Sequence, residues 1–284
     1  MNVTIVGLGL IGGCVGLDLK QAKWVHHRGG IDISQSNGLR AMDLGLIDTF
    51  EQDSKVLHQS DLIVLAIPVN AVRALLPQIL ECIKPGAVVI DLGSTKSAIC
   101  EAVAAHINRG QFVAAHPLAG TENSGPDAAF RGLFTTKINI ICEQEKSSKE
   151  SLAIAETFFS ELGMKTIFME PEEHDKHVAY ISHLSHVSSF LLSQTVLDIE
   201  KDTKNIFHLA GSGFSSTVRL AKSSPDMWAP IFEQNAEYLG QALAEYIMHL
   251  QRFHYQLMKG NTKELYAVLK EANKIRRVLD TPIA

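Results

Sequence analysis

Short apolar runs alternate with stretches of helical spacing through the first part of the chain. Val3–Val6, Leu62–Ile67, Ala87–Asp91, Phe112–Ala115 and Ile138–Cys142 predict buried strands. Between them, Gly9–Lys20, Ala71–Ile83, Ser97–Asn108 and Lys149–Leu162 predict helices, and Lys165–Met169 after Gly163 predicts a last strand. Such alternation implies βαβ units and a mostly parallel sheet. The pattern then changes. Pro171-Glu172-Glu173 places proline and two acids where a helix start favours them. Helical periodicity follows in Glu173–Glu200, Pro225–Leu250 and Thr262–Val278, and no strand is predicted there. The expected organisation is an α/β domain over 1–170 and an all-helical domain over 171–284.

Composition adds limits. With 46% hydrophobic and 20% charged residues in 284, the chain has a globular composition. A formal net charge of −5 argues against nucleic acid or an anionic membrane as partner. The longest apolar run, Leu62 to Val69, suits a strand and is too short to cross a bilayer. The start enters a strand pattern without a basic leader, so the expected location is the cytoplasm. The last predicted helix lies close to residue 284, so an appended regulatory domain is not expected. Cys14, Cys82, Cys100 and Cys142 form no CxxC pair and sit among apolar neighbours, as reduced core thiols do.

Gly7-Leu8-Gly9-Leu10-Ile11-Gly12 directly follows the first strand and opens a helix. The first glycine permits a tight turn, the second lets backbone approach a pyrophosphate, and the third allows close helix–strand packing. This is the signature of a Rossmann-like dinucleotide site, with phosphates at the helix N-terminus. Asp32 lies 20 residues after Gly12, near the spacing of the acid that holds the adenosine ribose. A carboxylate there repels the extra phosphate of NADP and favours NAD; the alternative is a surface turn residue. The intervening strand, His26-His27-Arg28-Gly29-Gly30, is polar and glycine-rich, and Arg28 is not expected to replace Asp32 in choosing the cofactor. Ile67 and Pro68 end a strand beside the same crevice, where they either line the cofactor cleft or form an ordinary turn.

Asp91-Leu92-Gly93-Ser94-Thr95-Lys96 and Ala115-His116-Pro117-Leu118-Ala119-Gly120-Thr121 close successive strands and should open onto that crevice. A histidine there can accept a hydroxyl proton near neutral pH, as hydride loss from an alcohol-bearing carbon requires. The N-terminal glycine motif, these two segments with Glu122, Ser182-His183-Leu184-Ser185-His186 and Gly213–Trp228 resemble, in the same order, the prephenate dehydrogenases.

The resemblance implies oxidative decarboxylation of prephenate, or of its amino analogue arogenate, on the route to tyrosine, with NAD as cofactor; the apolar surface of the helical domain predicts a homodimer. It assigns His116 as the catalytic histidine at the ring hydroxyl and Ser94 as the serine that orients it. Arg219 matches an arginine that binds a substrate carboxylate, and Glu122 an acid near the pocket entrance. Thr121, His186 and Trp228 match further substrate-binding residues, His174 more loosely. Ser216 stands where the family often has an acid and Ser212 where it often has glycine, so this loop lacks a charge to pair with Arg219. Leu92 and Thr95 replace the more usual small or valine residues around Ser94.

Two other readings stay open. A β-hydroxyacid-type dehydrogenase would share the glycine loop but needs a catalytic lysine on the following helix, and no such motif appears between Glu173 and Glu200. A non-catalytic NAD-binding regulator is opposed by Ser94 and His116 together. His174, His177, His183 and His186 are spread over more than one helix face, and no metal site is expected.

Overall fold

The structure is a computed structural model, and it describes residues 1–202 and 209–280. Eight strands form one sheet in the order β3-β2-β1-β4-β5-β6-β7-β8. They are β1 (Asn2–Val6), β2 (His27–Ile31), β3 (Thr49–Glu51), β4 (Leu62–Leu65), β5 (Val88–Asp91), β6 (Phe112–Pro117), β7 (Ile138–Cys142) and β8 (Lys165–Met169). All neighbours pair parallel except β6 and β7, which run antiparallel with His116 opposite Ile140. Among the described residues no strand follows β8.

Alternation along the central strands explains how the sheet is buried. Leu62, Val64, Val88, Ile90 and Val113 point into one apolar cluster; Ile63, Leu65, Val89, Phe112 and Ala114 point into the other. A strand whose successive side chains both meet apolar layers must be covered by helices on both faces. Helices α1 (Leu10–Leu19) and α5 (Lys149–Glu161) supply the first layer through residues such as Val15 and Phe158. On the second face lies α3 (Val69–Cys82), with Val69, Val72, Leu76 and Ile79 at helical spacing.

Two elements were not predicted. Helix α2 (Gln35–Asp43) buries only Gly38 and Ala41, too little for a periodic apolar stripe. Strand β3 has three residues, and its Phe50 ring occupies the space beside Gly38. The helix expected over Ser97–Asn108 stops early as α4 (Ser97–Ala102); Ile107, which extended the apolar pattern, is almost fully exposed.

The expected Glu173–Glu200 helix is α6 (Pro171–Val178), a π turn at Ala179–His183, and α7 (Leu184–Asp202). Gly211–Ser216, expected as a loop, opens α8 (Ser212–Val218) instead, followed by a 3-10 turn at Arg219–Lys222. The expected Pro225–Leu250 helix is divided at Asn235 into α9 (Pro225–Gln234) and α10 (Ala236–Met258). Then come α11 (Thr262–Ala272), a 3-10 turn at Asn273–Ile275, and α12 (Arg276–Leu279). Residues Met1–Ala236 form one compact unit, and a second begins at Glu237. Among the described residues no helix is long and apolar enough to cross a membrane. Cys14, Cys100 and Cys142 are buried free thiols; burial pushes Cys14 up to about 11 and Cys142 to about 12, which leaves both poor nucleophiles.

Candidate active site

The glycine turn sits at the carboxyl edge between β1 and β4, where the strand order reverses direction. Gly7 has φ +93, and a side chain there would meet the Ala66 carbonyl. A Cβ on Gly12 would stand 1.9 Å from the Gly7 oxygen, whereas one on Gly9 would enter open space. Gly9 is the N-cap of α1 and offers no side-chain acceptor to the helix's first N–H groups. Leu8, Leu10 and Ile11 carry the turn, with Leu8 and Leu10 packed into the core. The result is a backbone cradle with free donors and room on one side, which fits a pyrophosphate.

Asp32 follows β2. Its Oδ2 accepts from Leu8 N at 2.7 Å and its Oδ1 from Ser34 N at 2.8 Å. A carboxylate has about four lone-pair sites, so it can brace the glycine turn and still accept ribose hydroxyls. Arg28 points elsewhere: it is buried, donates to the Gly16 and Leu46 carbonyls and pairs with Asp48. Across the switch point, Ile67 is half-buried and Pro68 is the exposed N-cap of α3.

His116 lies in β6 itself and is held by strand pairing. Its Nδ1 is 2.8 Å from Nε2 of His174, whose Nδ1 is 2.7 Å from Oδ1 of Asp175. The Asp175 carboxylate also accepts from Lys96 N at 2.8 Å and Ser97 N at 2.9 Å, capping the start of α4. These contacts hold Asp175 below the usual carboxylate range despite its burial. Below them, the fully buried Lys96 ammonium pairs with Asp91 and donates to the Ala115 carbonyl at 2.6 Å, tying β5 to the residue before His116. Removing one partner of such a pair costs about 3–5 kcal/mol. Burial, with His174, Lys96 and His183 nearby, holds His116 well below the ordinary imidazole value, so it is neutral at pH 7.

The two irregularities in the helices both serve this region. The π turn turns His183 inward, where it is 1% exposed and held down to about 4 chiefly by burial. The break at Asn235 lets its Nδ2 donate to the Asp175 carbonyl at 2.8 Å and to His183 Nδ1 at 3.0 Å. Trp228 packs against both histidines: its ring stacks on His186 at 3.5 Å between centroids and meets His183 edge-on at 5.8 Å. His183 and His186 share a face as their spacing predicts. Thr121 is half-buried on the loop after β6 and accepts from Asn123 N at 3.2 Å.

Some expectations change. Among the described residues the hydrogen-bond partner of His116 is His174, not Ser94, which lies half-buried on the turn after β5. His174 is 0% exposed and stands behind His116, out of reach of substrate, because both its ring nitrogens are engaged within the fold. Arg219 does have a counter-charge: Glu122, from the loop after β6, pairs with it at 2.6 Å. Asp175, Asn235 and the Asp91–Lys96 pair were given no role from the sequence. Proximity of Asp175 to His174 in sequence was the one available signal.

Comparison with known proteins follows the same outline. Residues 15–168 match the model of the prephenate dehydrogenase nucleotide-binding domain and residues 170–271 that of the prephenate dehydrogenase dimerization domain. A prephenate dehydrogenase of Lactococcus lactis is 29% identical over 98% of this chain and 77% of its own. The crystal structure of prephenate dehydrogenase from Aquifex aeolicus with hydroxyphenyl propionate and NAD+ is 30% identical. It superposes with a TM-score of 0.89 over 99% of this chain and 98% of that one. The Synechocystis arogenate dehydrogenase structure is 29% identical, with a TM-score of 0.75 over 98% and 100% of the two chains.

Proposed function

The chain belongs to the prephenate dehydrogenase family, and on that premise we propose that prephenate, rather than arogenate, is its substrate. It is an NAD-dependent oxidoreductase that decarboxylates a cyclohexadienol oxidatively, giving 4-hydroxyphenylpyruvate from prephenate. The observation that carries the dehydrogenase reading is the neutral His116 fixed in β6 at the carboxyl edge of the sheet that also carries the glycine cradle; the choice of prephenate is supported by the relatives named prephenate dehydrogenase.

The chemistry follows from that arrangement. Prephenate has a ring hydroxyl and two carboxylates. Neutral His116 accepts a hydrogen bond from the hydroxyl and takes its proton as the C–H bond on the same carbon breaks. Gly7, Gly9, Gly12 and Asp32 would hold NAD, which when bound supplies the hydride acceptor. Loss of carbon dioxide leaves an aromatic ring and makes the reaction effectively irreversible. Arg219 suits one substrate carboxylate, since a guanidinium grips it at two points. His186 and Trp228 offer a flat aromatic wall, and Thr121 a hydroxyl near the entrance.

We place the functional boundary near residue 170, with cofactor binding in 1–170 and substrate binding and dimerisation in 171–284. The match to a dimerization-domain model supports a homodimer, as do exposed Met248, Leu250, Tyr255, Leu257 and Met258 on α10. A cytoplasmic setting accords with the reduced thiols. The test is direct: NADH absorbance is followed with prephenate and with arogenate at equal concentrations. A higher kcat/KM with arogenate would reverse the substrate assignment.

A further inference from the structure

The chain of hydrogen bonds behind His116 determines where its proton resides. Asp175 takes two backbone N–H groups on its carboxylate, one on each oxygen, and is held ionised by them and by His174. An ionised carboxylate only accepts hydrogen bonds. The His174 nitrogen facing it, Nδ1 at 2.7 Å, therefore carries hydrogen. His174 is fully buried, and burial lowers it below the ordinary imidazole value, so the ring is neutral and its Nε2 is bare. A bare Nε2 can only accept. The His116 nitrogen 2.8 Å away, Nδ1, is then the donor. Since His116 is neutral too, its remaining hydrogen-free atom is Nε2.

We propose that His174 and Asp175 are positioning residues that fix His116 in the tautomer with Nδ1 protonated and Nε2 bare. The inference deepens the dehydrogenase reading and rests on it only for its consequence, since Nε2 is then the atom that receives the hydroxyl proton. Nothing in the relay needs to move for the base to act. The proton goes from substrate oxygen to Nε2, and the imidazolium so formed keeps Nδ1–H on His174, which keeps Nδ1–H on Asp175. The carboxylate stabilises the new charge without becoming protonated. Asn235 strengthens the arrangement from the other side by holding the Asp175 carbonyl and His183 Nδ1 at once. Lys96, Asp91 and His183 are the other ionisable groups acting on the two rings.

The direct test is long-range 1H–15N correlation NMR on the wild-type enzyme labelled at histidine nitrogens. The His116 signals are assigned by their loss in His116→Asn. At neutral pH His116 should show a protonated Nδ1 and an unprotonated Nε2, with the same pattern at His174. A His116 ring protonated on Nε2 would overturn the proposal. This readout needs no substrate, so it stands apart from whether the enzyme oxidises prephenate.

Kinetics supply the second arm. His174→Leu removes the acceptor, and His174→Gln places an amide oxygen where ring Nε2 stands. In the Leu variant kcat should fall at least about tenfold, up to the roughly 10²–10⁴-fold that a general base is worth. NAD affinity should hold, and Gln should recover most of the loss. Equal losses in the two variants, or a wild-type kcat in His174→Leu, would refute the role.

Discussion

Arg219 Nη1 donates to Glu122 Oε2 at 2.6 Å, joining the turn after α8 to the loop that follows His116. Glu122 is held below the usual carboxylate range by its own backbone N–H and, after it, by the Arg219 guanidinium, so this carboxylate is ionised at neutral pH. The side chain of Arg219 is half exposed. A guanidinium already holding one carboxylate in a wet setting can exchange it for a substrate carboxylate at little cost.

Arg219→Ala should therefore raise the substrate KM by roughly ten- to a hundredfold, the worth of a charge-assisted contact. NAD affinity should stay nearly unchanged, because the side-chain partner of Arg219 is Glu122 and not the glycine turn or Asp32. Glu122→Gln removes the competing carboxylate and should lower KM. Steady-state kinetics on both variants decide the matter: an unchanged KM in Arg219→Ala would take the residue out of the pocket.

The glycine turn makes a paired prediction. On Gly9 a Cβ enters open space, while on Gly12 it lies 1.9 Å from a backbone oxygen. Gly9→Ala should melt near the wild-type temperature but bind NAD more weakly, since the methyl occupies the phosphate side of the cradle. Gly12→Ala must move backbone and should lose about 1–3 kcal/mol of stability. Thermal melts with and without NAD separate the two. Wild-type NAD affinity in Gly9→Ala would mean that the open space is not the cofactor's.

Asp32 serves two ends, ribose recognition and the brace on Leu8 N and Ser34 N. Asp32→Ala should thus weaken NAD binding and narrow the preference over NADP, as the carboxylate's repulsion of the 2′-phosphate goes. NAD and NADP titrations by fluorescence measure both. Equal use of NADP by the wild type would contradict the assignment.

The sequence disclosed most where one local rule decides the outcome. Gly7, Gly9 and Gly12 are required by backbone contacts within a few residues, and β4, β5 and β6 are apolar because both faces are covered. It disclosed least where distant partners decide. Helix α2 is polar and is held through Gly38 beneath Phe50, a contact no periodicity reveals. Ser94 adjoins the right strand, yet the partner of His116 comes from α6 through His174. Asn235 interrupts a helix that reads as continuous, because its amide binds Asp175 and His183. The histidines were legible as a group, but the order of their hydrogen bonds follows from tertiary packing.

Acid should destabilise the fold in a defined window. Burial lowers His116, His174, His183 and His186, His183 to about 4. Unfolded histidines bind protons near about 6.5, so between these values the unfolded state holds more protons than the folded one. Stability then rises with pH across this range and is lost as pH falls from about 6.5 toward 4. His183 alone accounts for about 3 kcal/mol of that loss once pH is below its folded value. Melting temperatures between pH 7 and pH 5 should show the slope, His183→Phe should flatten it, and exposed His177→Gln should not. A slope indifferent to His183→Phe would remove His183 from the account and leave the loss to His116, His174 and His186 or to carboxylates.

The chemical step gives the last prediction. Asparagine at position 116 reaches only as far as ring Nδ1, so its amide can keep donating to His174 Nε2 while nothing stands at the Nε2 position. The strand pairing with Ile140 uses backbone and is untouched. His116→Asn should therefore fold, bind NAD as the wild type does, and lose kcat by roughly 10²–10⁴-fold, because the hydroxyl proton has no acceptor where the transition state needs one. The wild-type pH profile supplies an independent check. Activity requires neutral His116, so kcat/KM falls as pH drops through the pKa of that ring in the free enzyme. A free imidazole would place this limb near about 6.5. Here burial and the neighbouring His174, Lys96 and His183 push the ring well lower, so the limb should lie clearly on the acid side of that value. It should also be missing from the residual activity of His116→Asn. A mutant that keeps the same limb at a reduced rate would show that another group is the base, and His186, stacked on Trp228, is then the next to test.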